Sequence, residues 1–160
     1  MRLKNANKVL KSPIFLNELN RIDRLEEDRE FCRHGLSHLF DVARIALITC
    51  MKEGLDISED LLYTAALLHD IGRGEEYESG TPHHIAGKKI GAKILESIGA
   101  ESEFSKNVLR LISSHRGSNS QTELERIFYY ADKKSRNCFA CSAYNKCNWN
   151  ESKKNNLAEV

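Results

Sequence analysis

The sequence predicts an all-α protein with a single domain. Apolar residues recur at three- and four-residue spacing in six segments. Several of these segments open at a capping residue or a proline and close at a glycine. No run alternates apolar and polar residues between turn signals, as a half-buried strand would. With 160 residues, 41% hydrophobic and 29% charged, the chain is long enough for one core.

The elements follow in order. Ser12-Pro13 places an N-cap before a proline at the first helical position, and Ile14, Phe15, Leu19, Ile22 and Leu25 then repeat at helical spacing. A second helix is expected from Leu36 to Glu53, with Leu39, Val42, Ala43, Ala46, Leu47 and Cys50 on its apolar side and Gly54 as its stop. Ser58 caps a third, with Glu59 and Asp60 where the helix dipole favours acids. Its continuation, Leu61 to Ile71, is apolar on nearly every face and reads as the buried central helix. Thr81-Pro82 opens a fourth, ending near Gly99, and Ser102 opens a fifth, ending around Gly117. A sixth runs from Gln121 to Arg136 through Leu124, Ile127, Phe128 and Ala131. From Cys138 on the chain is poor in aliphatics and rich in Asn and Lys, giving a helical domain over 1–137 and a Cys-containing tail over 138–160.

The 24 Lys and Arg against 23 Asp and Glu leave a net charge of +1, so no polymeric nucleic-acid partner is expected. No apolar run approaches the ~20 residues that span a bilayer, and Met1-Arg2-Leu3-Lys4-Asn5 is not followed by an apolar signal core. A cytoplasmic protein without a membrane partner is the expectation. There its five cysteines are thiols or metal ligands before they are disulfides. Self-association as a homodimer stays open.

The chemistry concentrates at Leu67-Leu68-His69-Asp70-Ile71-Gly72. An ionised Asp after a His at the end of so apolar a helix is costly to bury uncompensated. Side chains about 100° apart can flank a common point, and a divalent cation there takes both as ligands. Gly72 suits a tight turn that lets chain and ligand approach. The competing reading makes His69 a helix-end cap and pairs Asp70 with Arg73. His38 stands on the face of Val42 and Ala46, and Asp132 on that of Phe128 and Ala131. Together these residues supply metal ligands from three separated helices.

A His shortly before Val-Ala, a His-Asp pair after a buried helix and a late Asp resemble the HD superfamily of metal-dependent phosphohydrolases, over residues 31–136. The resemblance implies that His38, His69, Asp70 and Asp132 hold a catalytic ion. Branches of that family hold two ions with a further His from each of two helices. By that likeness His83 or His84, with His83 matching the branch pattern better, and His115 would bind a second ion, bridged to the first by Asp70. The implied cofactor is one or two ions of Fe, Mn, Co, Mg or Zn, and the implied substrate a small phosphate compound or nucleotide. A metal-acidified water would attack phosphorus. Arg73, Arg116, Lys133 and Arg136 stand beside these positions as candidates for phosphate contacts. Ile127-Phe128-Tyr129-Tyr130-Ala131-Asp132-Lys133, following Ser-His-Arg, is similar to the bacterial symmetrical diadenosine tetraphosphate hydrolases. The following Lys-Lys-Ser-Arg-Asn-Cys departs from them. The competing function is a non-catalytic HD module that binds a nucleotide or metal as a sensor or scaffold.

Cys138-x2-Cys141-x5-Cys147 is a second candidate metal site, with Cys32 as a fourth ligand if the tail folds back beside the second helix. A structural zinc, or secondarily an iron–sulfur cluster, would order the tail. The competing reading is three free thiols.

Overall fold

A computed structural model describes residues 3–114 and 121–157. Eight α-helices follow one another among them: α1 (Lys4–Val9), α2 (Pro13–Leu25), α3 (Leu36–Lys52), α4 (Glu59–Leu68), α5 (Arg73–Ser79), α6 (His83–Ser97), α7 (Ser102–Ser114) and α8 (Glu123–Lys134). Two 3-10 turns, Cys138–Ala140 and Tyr144–Lys146, shape the tail, and no strand occurs among the described residues. The all-α expectation holds. No helix among the described residues is long and apolar enough to cross a membrane.

Helix α4 is the hub, packing against α1, α3 and α7, while α3 also packs against α8 and α6 against α7. The centre is aliphatic and tight: Leu62, Ala65, Ala66, Leu67 and Leu68 of α4 meet Leu39, Val42, Ala43 and Ala46 of α3 in one core with Ile112, Ile127 and Phe128. Small residues on both helices let the backbones approach closely. That brings the end of α4 beside the start of α3 and the end of α8.

The boundaries differ from the sequence expectations in instructive ways. Residues 4–9 form a helix that local sequence does not signal. Its start is capped from a distance by the buried Asp60 carboxylate, which accepts from the backbone N–H groups of Asn5 and Ala6, both at 2.9 Å. Asp60 is therefore more than an acid at the start of α4. The central helix ends at Leu68 rather than Ile71, because the chain turns at Asp70 and restarts as α5 after Gly72. Ser12 stands at the N-cap of α2 but its side chain makes no capping bond. Ser58 does cap α4, accepting from Leu61 N–H at 3.3 Å. Helix α8 starts at Glu123, not Gln121, on a capping box in which Thr122 accepts from Glu125 N–H and Glu125 accepts from Thr122 N–H. Gly54 and Gly99 end α3 and α6 with φ of 71° and 66°.

Gly72 matters for a different reason. Its φ of −83° suits any residue, but a Cβ there would lie 2.2 Å from the His83 carbonyl oxygen and 2.3 Å from Gly87 N. Only a residue without a side chain lets the turn after Asp70 lie directly on α6.

Candidate metal centre

Four side chains meet where α3, α4 and α8 converge. His38 projects from the first turn of α3, His69 caps the end of α4, Asp70 sits in the following turn and Asp132 lies in the last turn of α8. All four are buried, and one ligand atom of each lies within 4.8 Å of the others. Asp70 Oδ2 is 3.3 Å from His38 Nε2 and 3.0 Å from His69 Nε2. Asp132 Oδ1 is 3.4 Å and 3.7 Å from the same two nitrogens.

The surroundings decide which ring nitrogen carries the proton. His69 Nδ1–H donates to the Ala66 carbonyl at 2.7 Å, leaving the Nε2 lone pair toward the cluster. The Ser135 hydroxyl donates to the Asp132 carbonyl at 2.7 Å and so accepts from His38 Nδ1–H at 3.0 Å. Nε2 of His38 is thereby also the unprotonated nitrogen, and Nη2 of Arg136 points a donor at it from 3.2 Å. Two imidazole lone pairs and two carboxylate oxygens thus face one point. Partners that fix the tautomer from outside in this way are the usual support of metal-binding histidines.

Electrostatics separate the two histidines. Burial pushes His38 down to about 4 against the pull of Asp70, keeping it neutral. Burial would also lower His69, but Asp70 and Asp132 outweigh it and raise it to about 10. Burial would raise Asp70 and Asp132; His69 holds both below the ordinary carboxylate range, with His38 and Arg73 adding to the effect on Asp70 and Lys133 on Asp132. The donor set of two borderline nitrogens and two hard oxygens fits a divalent first-row ion. Without one, a proton on His69 is what relieves the clustered acceptors.

The other edge of Asp70 is differently arranged. Its Oδ1 accepts from Arg73 Nε at 2.9 Å and lies 3.5 Å from His83 Nε2. His83 Nδ1 bonds Glu76 at 2.7 Å, and Arg73 Nη1 donates to the same Glu76 oxygen at 3.1 Å. The Asp70–Arg73 pair of the competing reading is therefore present together with the four-residue cluster. Of the two adjacent histidines, His83 is buried and faces Asp70, whereas His84 Nδ1 is buried with no hydrogen-bond partner among the described residues. An ion bridging at Oδ1 would have to replace the Arg73 contact. His115 and Arg116 lie outside the described residues.

A cavity of about 730 Å³ opens over the cluster. His38, His83, Asp132, Arg73, Lys133 and Arg136 line it, together with Phe31, Tyr144 and Trp149. Lys133 Nζ is 2.7 Å from Asp132 Oδ2, and Arg136 Nη1 donates to the Arg33 carbonyl at 2.7 Å. All four expected cysteines, Cys32, Cys138, Cys141 and Cys147, line the same cavity. Among the described residues only the His/Asp group closes to metal-ligand spacing, so the thiols border the space without converging as tightly.

Sequence reasoning missed three supports. Ser135 follows Asp132 by one helical turn, a spacing that could have flagged it. Glu76 lies one turn beyond Arg73 and could be found the same way. Glu26 gave no local signal: it is 1% exposed and accepts from His34 N–H, His34 Nδ1–H and the Tyr77 hydroxyl. That hub locks the loop before α3 against α5. It is held by burial working against His34 and Tyr77, which leave its pKa at about 2.

The HD domain model matches residues 35–137, which include His38, His69, Asp70 and Asp132. The chain belongs to the HD domain family. An uncharacterized protein of Clostridium beijerinckii is 38% identical over 93% of this chain and 94% of its own length. Ribonuclease Y of Clostridium perfringens is 29% identical over 69% of this chain, which spans only 20% of that relative's length. Among solved structures, a predicted HD superfamily hydrolase from an uncultured Thermotogales bacterium shares the fold with a TM-score of 0.60 and 26% identity, covering 87% of this chain and 80% of that one. The HD domain here thus carries its His-Asp pair at the junction of α4 and α5.

Proposed function

We propose that this HD protein is a metal-dependent phosphohydrolase cleaving a phosphoester or phosphoanhydride in a nucleotide or dinucleoside polyphosphate. The observation that carries the reading is the convergence of four buried ligand atoms, with the Nδ1 side of both imidazoles turned outward to backbone and hydroxyl partners. His38, His69, Asp70 and Asp132 would hold Fe, Mn, Co, Mg or Zn, with the mixed nitrogen and oxygen donors favouring the transition ions. When bound, a divalent ion supplies Lewis acidity, acidifying water and polarising phosphoryl oxygen.

The chain's own residues do the rest. Asp70 holds its Oδ2 toward the ion position while Arg73 fixes the opposite oxygen. Lys133 and Arg136 present cations to the cavity beside Asp132, fit to meet a phosphate's equatorial oxygens as they gain charge in the transition state. Phe31 and Trp149, which line the same cavity, offer flat apolar surface to a base. The cavity size supports a small substrate over a polymer or a membrane surface.

A second ion, held by His83 with His115, is favoured by one feature. Glu76 orients His83 so that its Nε2 faces Asp70 Oδ1.

The test is a screen of mononucleotides, dinucleoside polyphosphates, cyclic dinucleotides and short RNA with Mn, Fe, Co and Mg, run beside Asp70→Ala. Metal-dependent turnover of a small nucleotide, lost in the variant, is the expected result. Metal retained with no turnover would overturn the enzyme reading in favour of a binding module. Turnover of RNA alone would overturn the substrate class.

A further inference from the structure

We propose that Cys32, Cys138, Cys141 and Cys147 bind one zinc ion that staples the C-terminal segment to the loop ahead of α3, at a site separate from the His/Asp centre. This goes beyond the hydrolase reading and stands independently of it.

Four of the five cysteines border one cavity although Cys32 lies far in sequence from the three in the tail. The fifth, Cys50, is buried alone in the aliphatic core. The spacing of the tail cysteines is matched by its backbone. Cys141 N–H donates to the Cys138 carbonyl, Tyr144 N–H to the Cys141 carbonyl and Cys147 N–H to the Tyr144 carbonyl, at 3.1, 3.1 and 3.4 Å. These consecutive turns carry the three thiols along one compact coil. Trp149 N–H then points at Cys147 Sγ from 3.5 Å, a bond that a thiolate accepts better than a thiol. Cys32 is brought up from the other side: Arg29 Nε donates to its carbonyl at 2.9 Å, and Lys146 reaches Glu30 at 2.5 Å.

Hydrophobic burial does not account for this arrangement. Residues 138–157 hold one Leu and no Ile, Val or Met. That Leu157 is 71% exposed and Phe139 is 59% exposed. A segment without a core of its own needs a cross-link or a metal to hold one conformation. Tetrahedral zinc takes four thiolates, and these four cysteines border one cavity while Cys50 stands apart in the core. Zinc about 2.3 Å from each sulfur needs the sulfurs about 3.8 Å apart, so binding would draw the thiols inward across the cavity edge. Four thiolates on Zn²⁺ leave a net charge of −2, and the site supplies the balance: Arg136 stands by Cys32 and Lys154 by Cys147.

The test uses the full-length chain, because the His/Asp centre contains no sulfur. In Co²⁺-substituted wild type, a thiolate-to-cobalt charge-transfer band in the near ultraviolet can come only from cysteine. The proposal expects that band, and one zinc per chain in purified Asp70→Ala, released by a mercurial reagent. Cys141→Ser should lose that zinc; if it fails to fold, the cobalt spectrum of the wild type still decides. Absence of the band, with the tail thiols of the purified protein reacting at once with a disulfide reagent, would overturn the proposal. Iron with labile sulfide in place of zinc would overturn the zinc assignment.

Discussion

Replacing Gly72 by alanine tests the contact that seats the His-Asp turn on α6. The added Cβ would meet backbone on two sides, at 2.2 Å from His83 O and 2.3 Å from Gly87 N. Ordinary contact needs roughly 1 Å more, and no side chain can rotate to provide it. The turn or α6 must move as a body, at a cost near the top of the overpacking range, about 3 kcal/mol. For a chain of this size that lowers Tm by about 6–12 °C. The same shift carries His83 away from Asp70, and a misplacement of ~1 Å near reacting groups costs about 100-fold in turnover. Gly87→Ala is the control from the other face of the contact. Its Cβ would find nothing nearer than 3.5 Å, and in the interior of α6 alanine should gain about 1 kcal/mol. Calorimetric melting of both variants decides the matter. If Gly72→Ala melts within ~1 °C of the parent, the close approach does not constrain the fold and the reasoning fails.

Three other outcomes follow from the geometry. Thr122→Ala removes one half of the capping box of α8 and should cost about 1 kcal/mol, read as a Tm lower by ~2–4 °C. Acid should destabilise the protein in two stages. His34, buried and shifted down, gives up stability as pH falls below its ordinary 6.5, and Glu26, depressed to about 2, gives up more between about 4.5 and 2. Glu26→Gln should be about 1–3 kcal/mol less stable at neutral pH and flatten the second stage, seen in melts across a pH series. Arg136→Ala should reduce kcat/KM about 10–100-fold, mainly through KM, if Arg136 binds substrate phosphate; an unchanged KM would remove it from that role.

The long helices were legible because each carries its own stop and start signals. Gly54 and Gly99 end helices in the left-handed region, Pro13 begins one, and the apolar run after Ser58 is the hub. The short helices were not. Helix α1 depends on Asp60, more than fifty residues away, for its cap. Helix α5 buries little and is anchored to α2 by Arg21, which pairs with Glu75 and Glu78. Both are held by tertiary partners that no local pattern reveals. At the centre, His38, His69, Asp70 and Asp132 stood out as polar residues on apolar helical faces, and folding brings them together. Their supports lie outside such patterns. Glu26 reads in sequence as one more acid in a charged stretch, and only the packing of α5 on α2 turns it into a buried acceptor.

The central claim is that His38, His69, Asp70 and Asp132 bind the catalytic ion. An anomalous-scattering map from crystals grown with Mn²⁺ tests it most directly. The expected result is a strong peak enclosed by Nε2 of both histidines and the carboxylates of both aspartates, and no such peak in Asp70→Ala. An active protein whose manganese binds elsewhere, with that point empty, would contradict it.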